Sequence, residues 1–138
     1  MKYVIDANVG IAAIMPETHS AKALQLRADF RKGIHELFAP GLYFLEVGNS
    51  LVNHARAGRY PQADLPFAYQ ELMRHQPIIV PTRSLFPRAY AIASQFRVSV
   101  YDSIYLALGE QEKCPLVTDD GKLIKAVSGF NIISIQDL

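Results

Sequence analysis

Four acidic positions in this chain have surroundings that an ordinary surface carboxylate would not have. Asp6 closes the apolar string in YVIDANVG, Glu46 stands inside LYFLEVGNSLV, Asp102 opens SVYDSIYLALG, and the pair Asp119 and Asp120 follows PLVT. Each has a structural alternative. Asp6 or Asn8 can cap a helix beginning near Val9, and Glu46 can form a core ion pair with an arginine. Ser99 and Asp102 have the spacing of a capping box, although Glu or Gln is the usual fourth residue. Asp followed by Gly121 is a turn signal. Two of the positions end apolar strings and two lie in apolar helical segments, so a parallel sheet can bring all of them to one place. Two carboxylates about 4 Å apart repel by roughly 4 kcal/mol at an effective dielectric near 20. Four clustered ones therefore demand protons or divalent cations.

Oxygen ligands without His or Cys favour Mg²⁺ or Mn²⁺ over Zn²⁺. One or two such ions polarise a phosphate, make a nucleophile of bound water and steady the leaving oxygen of a phosphodiester. Asp6, Glu46, Asp102 and Asp120 are thus expected to be both the metal ligands and the catalytic residues. Alternation along residues 116–118 puts Thr118 and Asp120 on one side and Asp119 on the other. Thr118 is then expected to orient the Asp120 carboxylate, and Asp119 to cap the helix that follows. Asn8, two residues after Asp6, helps to fix it. Arg56 and Arg59, with His54, form a small basic cluster that the helix dipole favours anyway and that can contact phosphate beside the metal site. His19, His35, His54 and His75 show no ligand spacing and read as surface residues.

Short apolar strings alternate with segments of helical periodicity. Strands are expected at 3–5, 37–39, 78–80, 116–118 and 132–135, and helices at 20–30, 42–57, 63–74, 87–96, 101–112 and 122–127. The class is α/β, a parallel β-sheet sandwiched between helices. Helix 42–57 has almost no polar face in its first three turns and is expected to be central and buried, with Glu46, Asn49 and Asn53 as one polar line.

The 138 residues, half of them hydrophobic, suit one domain over 1–138. A net charge of +1 supplies no global field toward a polyanion, so any such contact must be a local patch. Cys114 is the single cysteine, and only a short apolar run precedes Asp6, which points to a reducing, cytoplasmic setting. No run of about 18 apolar residues occurs, so no membrane-spanning helix is expected and the protein reads as soluble.

The D-A-N after the first strand, the Glu in FLEVGNSLVNHARAGRY, the run YDSIYLALGEQEKCPLVTDD and the closing strand together resemble a PIN domain. More narrowly they resemble VapC-type toxins of prokaryotic type II toxin–antitoxin systems. The resemblance covers residues 2 to about 135, and its most specific part is the late segment, an Asp opening an apolar helix, then a short strand, then T-x-D. It matches Asp6, Glu46, Asp102 and, through Thr118-x-Asp120, Asp120 to the family's acidic residues. Asn8 falls at a small polar position, and Gly109 replaces an Ala common in the family. The resemblance implies a Rossmann-like three-layer fold and a metal-dependent endoribonuclease acting on structured RNA. It also implies a VapB-like antitoxin that covers the acidic groove and supplies DNA binding, and a homodimer. Tyr43, Phe44, Tyr60, Phe67 and Tyr69, more aromatic surface than one small core can bury, are consistent with the homodimer.

Three rivals make distinct demands. A haloacid-dehalogenase-like phosphatase needs a second carboxylate two residues after Asp6, where Asn8 stands. A receiver-like phosphoacceptor domain needs an acidic pair near the first strand and a late lysine, and neither is found. A catalytically silent PIN-fold interaction module does not need the intact acidic set. RNA cleavage lost on mutating Asp6 separates nuclease from module.

Overall fold

A computed structural model describes residues 1–138. The strands are β1 (Lys2–Ile5), β2 (Glu36–Pro40), β3 (Ile78–Val80), β4 (Leu116–Thr118) and β5 (Ile132–Ser134). They form one fully parallel sheet in the order β3-β2-β1-β4-β5. The helices are α1 (Ala7–Ala12), α2 (Ser20–Arg31), α3 (Leu42–Arg56), α4 (Leu65–Arg74), α5 (Thr82–Gln95), α6 (Val100–Glu112) and α7 (Gly121–Ala126). No helix is long and apolar enough to cross a membrane.

Strand alternation divides the core in two. Tyr3, Ile5, Leu37 and Val117 point to the face covered by α1 to α4, where they meet Val9, Leu26, Val47 and Leu72. Val4, Phe38 and Leu116 point to the other face, against Leu85, Ile92, Ile104 and Leu108 of α5 and α6. This is the expected sheet between helices. The chain leaves β1 toward β2 and β3, then returns to place β4 on the opposite side of β1. The carboxyl ends of β1 and β4 therefore flank the switch point where open α/β sheets bind ligands.

Several elements depart from expectation. The all-round burial foreseen for two helices holds in α6, where residues 103–109 are all buried, and fails in α3. There Tyr43, Val47, Leu51 and Ala55 make one buried stripe, while Leu45 is 72% exposed and Asn49 and Asn53 face solvent. α3 packs against one face of the sheet only, so apolar density overstated its burial. α5 begins at Thr82 and runs through Pro87, expected to start it, because Leu85, Ala89 and Ile92 form a buried stripe that extends the helix by more than a turn. Among the aromatics, Tyr43 and Tyr60 are buried and Phe44 is half-buried, while Phe67 and Tyr69 are exposed.

Two glycines matter for packing. A Cβ on Gly10 would collide with the Tyr43 ring, so Gly10 lets α1 and α3 approach closely enough to bring Glu46 toward Asp6. At Gly109 a Cβ would lie 3.2 Å from the Cys114 carbonyl, a tight fit that suits glycine.

Candidate active site

Asp6 caps α1 at the end of β1. Its Oδ1 accepts a 2.7 Å hydrogen bond from the Ala7 N–H and its Oδ2 a 2.8 Å bond from the Thr118 hydroxyl. The capping alternative is thus realised, and it leaves Asp6 facing the other acidic residues. The residue is only 8% exposed, and burial pushes its carboxyl from 3.8 up to about 7, with the charges of Glu46 and Asp102 adding to the rise and the Thr118 and Ala7 bonds opposing it.

Glu46 is half-buried on α3 and its carboxyl is raised, first by burial and further by Asp102. The arginine foreseen as its alternative partner is absent, since no ion pair reaches it. Its Oε1 is buried with no hydrogen-bond partner, as is the Tyr105 hydroxyl beside it. The two groups lie close enough for the phenol to favour the Glu46 carboxylate, but not in hydrogen-bond geometry. Asp102 sits in the first turn of α6, where the Ser99 hydroxyl caps its backbone N–H at 3.0 Å. Burial raises its carboxyl and the charge of Asp120 raises it further. The four carboxylates thus form one mutually repelling group.

The strand end differs from expectation in two assignments. The cap of α7 is Asp120, not Asp119: its Oδ1 accepts from Lys122 and Leu123 N–H at 3.0 and 3.1 Å. The Thr118 hydroxyl donates to Asp6 rather than to the Asp120 carboxylate, and accepts from the Asp120 N–H at 3.0 Å. Asp119 turns outward, its Oδ1 3.3 Å from His19 Nε2. Asn8 reaches Asp6 through Thr118, donating to its Oγ1 at 3.2 Å while accepting from the Asp119 N–H at 3.1 Å. Asn8 and Thr118 therefore lock the ends of β1 and β4 together.

One contrast isolates the acidic group. Every other half-buried carboxylate, Asp29, Glu71 and Glu112, has a basic side chain within 4 Å. Asp6, Glu46, Asp102 and Asp120 are the carboxylates withheld from full exposure that have none. An all-oxygen set with an orphaned buried acceptor fits a hard divalent cation, although no three of these groups close in tightly enough to enclose an ion as they stand.

Arg56 and Arg59 are exposed at and beyond the end of α3 and make no ion pair with the acidic group. The histidines, expected at the surface, are each half-buried, and each lies within 4 Å of a carboxylate. Tyr105 was missed from sequence, and His54 was read only as part of the basic cluster with Arg56 and Arg59. His54 had a legible signal, because Glu46, Ser50 and His54 recur at i, i+4 and i+8 and share a line on α3.

The PIN domain family model matches residues 3–129 of the chain. The chain is 33% identical over 120 residues to Ribonuclease VapC9 of Mycobacterium tuberculosis, covering 87% of each protein. It is 30% identical over 125 residues to Ribonuclease VapC3 of Pyrobaculum aerophilum, covering 89% of this chain and 92% of that one. In fold it is similar to a chain of VapBC2 from Rickettsia felis, crystallised with a promoter DNA fragment, with a TM-score of 0.65 at 12% identity over 97% of this chain and 98% of that one.

Proposed function

Because the chain belongs to the PIN-domain family, among its VapC-type members, we propose that it is a Mg²⁺- or Mn²⁺-dependent endoribonuclease, the toxin of a type II toxin–antitoxin pair. The observation that carries this reading is the set Asp6, Glu46, Asp102 and Asp120, one buried and three half-buried about the sheet's switch point without a cation of its own. These four residues would hold the metal. When bound, one or two divalent ions supply a polarised phosphate, an activated water and charge compensation for the leaving oxygen.

The chain's own groups prepare the site. Thr118 fixes one Asp6 oxygen and the Ala7 N–H the other, so the carboxylate is oriented before any ligand arrives. Asn8 ties that arrangement to the β4 end. Without a cation, Asp6 holds a proton up to about pH 7, which limits the repulsion among its neighbours. Arg56 and Arg59 supply phosphate contacts along the RNA beside the metal site.

Partners follow from the same reading. The antitoxin is a VapB-like protein that covers the acidic groove in the cytoplasm. The exposed Phe67, Tyr69, Phe86 and Tyr90 supply apolar surface for a homodimer. The decisive experiment is cleavage of RNA by the purified chain. Activity is expected with Mn²⁺ or Mg²⁺, and its loss with EDTA and in Asp6→Ala. An Asp6→Ala protein that cut RNA as well as the parent, and slowed bacterial growth as strongly, would overturn the mechanism, whereas a parent chain that cut no RNA with either metal would leave a PIN-fold interaction module as the better account.

A further inference from the structure

Beside the acidic group lies a second concavity that the metal mechanism does not use. It is a pocket of about 250 Å³ between the α1–α2 connection, α3 and the β4–α7 turn, and its polar wall is made by Glu17, Thr18, His19, Ser50, His54 and Asp119. Asn8 lines it too, so it opens directly beside the lock that joins β1 to β4. Ser50 and His54 continue the line on α3 that begins at Glu46.

The walls are held in place. The Tyr60 hydroxyl donates to Glu17 Oε1 at 2.6 Å. Arg59 Nη1 lies 3.2 Å from His54 Nε2, and a guanidinium can only donate. His54 must therefore accept there, which makes it the neutral tautomer with its hydrogen on Nδ1, aimed at the Tyr60 oxygen 3.3 Å away. His19 is held against Asp119 Oδ1. The Tyr60 and His19 contacts each engage one oxygen of a carboxylate and leave the other, Glu17 Oε2 or Asp119 Oδ2, without a partner in the chain. The Thr18 and Ser50 hydroxyls are likewise unpaired.

Two open carboxylate oxygens repel a phosphate, so this is not a further backbone contact. A flat, uncharged group that presents N–H donors fits instead, with imidazoles to stack on and Ile11 and Ile135 as the apolar remainder. The size agrees, since the pocket falls below the roughly 300 Å³ at which sites for whole drug-sized ligands begin. Resting on the nuclease reading above, we propose that this pocket receives one unstacked nucleobase of the RNA next to the scissile phosphate, and that Glu17 and Asp119 select a base bearing an exocyclic amino group over uracil. Guanine, cytosine and adenine carry such a group. Uracil offers carbonyl oxygens in its place and would set them against the carboxylates.

The test separates the pocket from the cleavage activity. In EDTA, guanosine, cytidine, adenosine and uridine are titrated into the full chain while the imidazole NMR signals of His19 and His54 are followed. Amino-bearing nucleosides are expected to shift both signals, with uridine binding roughly tenfold more weakly or worse, the loss of a hydrogen bond to a charged acceptor. Ser50→Leu, which fills the pocket, is expected to abolish the shifts, and Glu17→Gln with Asp119→Asn to bring the amino-bearing nucleosides down to the level of uridine. Wild-type protein that shows no shift at millimolar nucleoside, or binds uridine equally well, overturns the pocket without any appeal to a variant. With Mn²⁺ present, RNAs differing only at the nucleotides flanking the cut are expected to differ in kcat/KM by a similar factor. Cleavage indifferent to that base overturns the pocket and leaves the nuclease reading standing. Nucleoside selectivity in a protein that cuts no RNA supports the pocket and counts against the nuclease.

Discussion

Two regions of this molecule bury carboxylates in opposite ways. Between α2 and α4, Glu71 lies 3.7 Å from Arg27 and 3.6 Å from His75, and nearby Asp29 lies 3.6 Å from His35. At the carboxyl ends of β1 and β4, Asp6 is more deeply buried and is met by hydrogen bonds alone. A carboxylate withheld from water is costly unless something compensates its charge. Where the chain provides the cation, the pair is structural. Where hydrogen bonds orient the group but no cation is provided, the fold keeps a charge deficit that a divalent ion can fill, and that distinguishes the two regions better than acidity or burial does.

The harshest test of this contrast removes the uncompensated charge. Asp6→Asn is expected to lower RNA cleavage by at least roughly a hundredfold, the upper end of what loss of a mere supporting residue costs a metal site. The same substitution should leave the metal-free fold as stable as the parent or more so at pH 8, since it discards a buried charge and keeps an acceptor for Thr118. Glu71→Gln, on the compensated side, should reverse both signs, sparing cleavage and lowering the melting temperature. Parallel melting and cleavage assays of the two variants decide the matter.

The contrast also has a pH signature. The Asp6 carboxyl stands at about 7 in the folded chain against 3.8 unfolded, so its contribution to stability is fully present below pH ~4 and is lost as pH rises through 7. The loss is on the order of 4 kcal/mol. A paired carboxylate behaves oppositely: Glu110, held low by its two hydrogen bonds to Arg88, contributes above its unfolded value and loses that contribution as pH falls. Urea unfolding in EDTA at pH 5 and pH 8 should therefore show Asp6→Asn gaining on the parent at the higher pH, with Mn²⁺ closing the gap by stabilising the parent alone. A difference between the two proteins that does not change with pH would show that Asp6 is not an uncompensated charge.

A smaller effect is expected at the support. Thr118→Val keeps the shape and deletes the hydroxyl that serves Asp6, Asn8 and the Asp120 N–H. Mn²⁺ affinity should fall by about 10–100-fold, and stability by about 1–3 kcal/mol from the partners left unsatisfied. If Thr118→Val bound Mn²⁺ like the parent, orientation of Asp6 would not matter to the site.

Much of this was legible in the sequence because strand and helix periods are local properties. The five strands and the parallel sheet follow from short apolar strings, and the approach of Asp6, Glu46, Asp102 and Asp120 from two carboxylates that end such strings and two that stand in apolar helices. What failed depends on which neighbour wins a hydrogen bond. Thr118 has both Asp6 and Asp120 within reach in sequence logic, but β1 lies beside β4 and Asp6 arrives first. His19 and His54 looked idle because their partners, Asp119 and Glu17, are distant in sequence, whereas the Glu71–His75 pair at i, i+4 was open to reading. Leu45 shows the opposite error, an apolar residue in an apolar run that the one-sided packing of α3 leaves 72% exposed.

The finest discrimination lies between two adjacent residues on opposite sides of the contrast. Asp119 is exposed and paired with His19, whereas Asp120 is half-buried, has no cation, and adds its charge to that felt by Asp102. Asp120 is therefore the residue of the two that we propose for the metal site, even though it also caps α7. Asp120→Asn isolates the charge, because asparagine caps a helix as well as aspartate does and the fold should melt nearly where the parent does. It is expected to weaken Mn²⁺ binding and RNA cleavage by roughly tenfold, the lower end of the range for groups around a metal. Asp119→Asn should leave Mn²⁺ affinity unchanged and shift only which flanking base is preferred. Calorimetric Mn²⁺ titrations of the two variants, each beside a cleavage assay on the same RNA, give the comparison. If Asp119→Asn proved the more damaging to Mn²⁺ binding, the alternation along β4 would not continue past Thr118, and a histidine partner would no longer mark a carboxylate as lying outside the metal site.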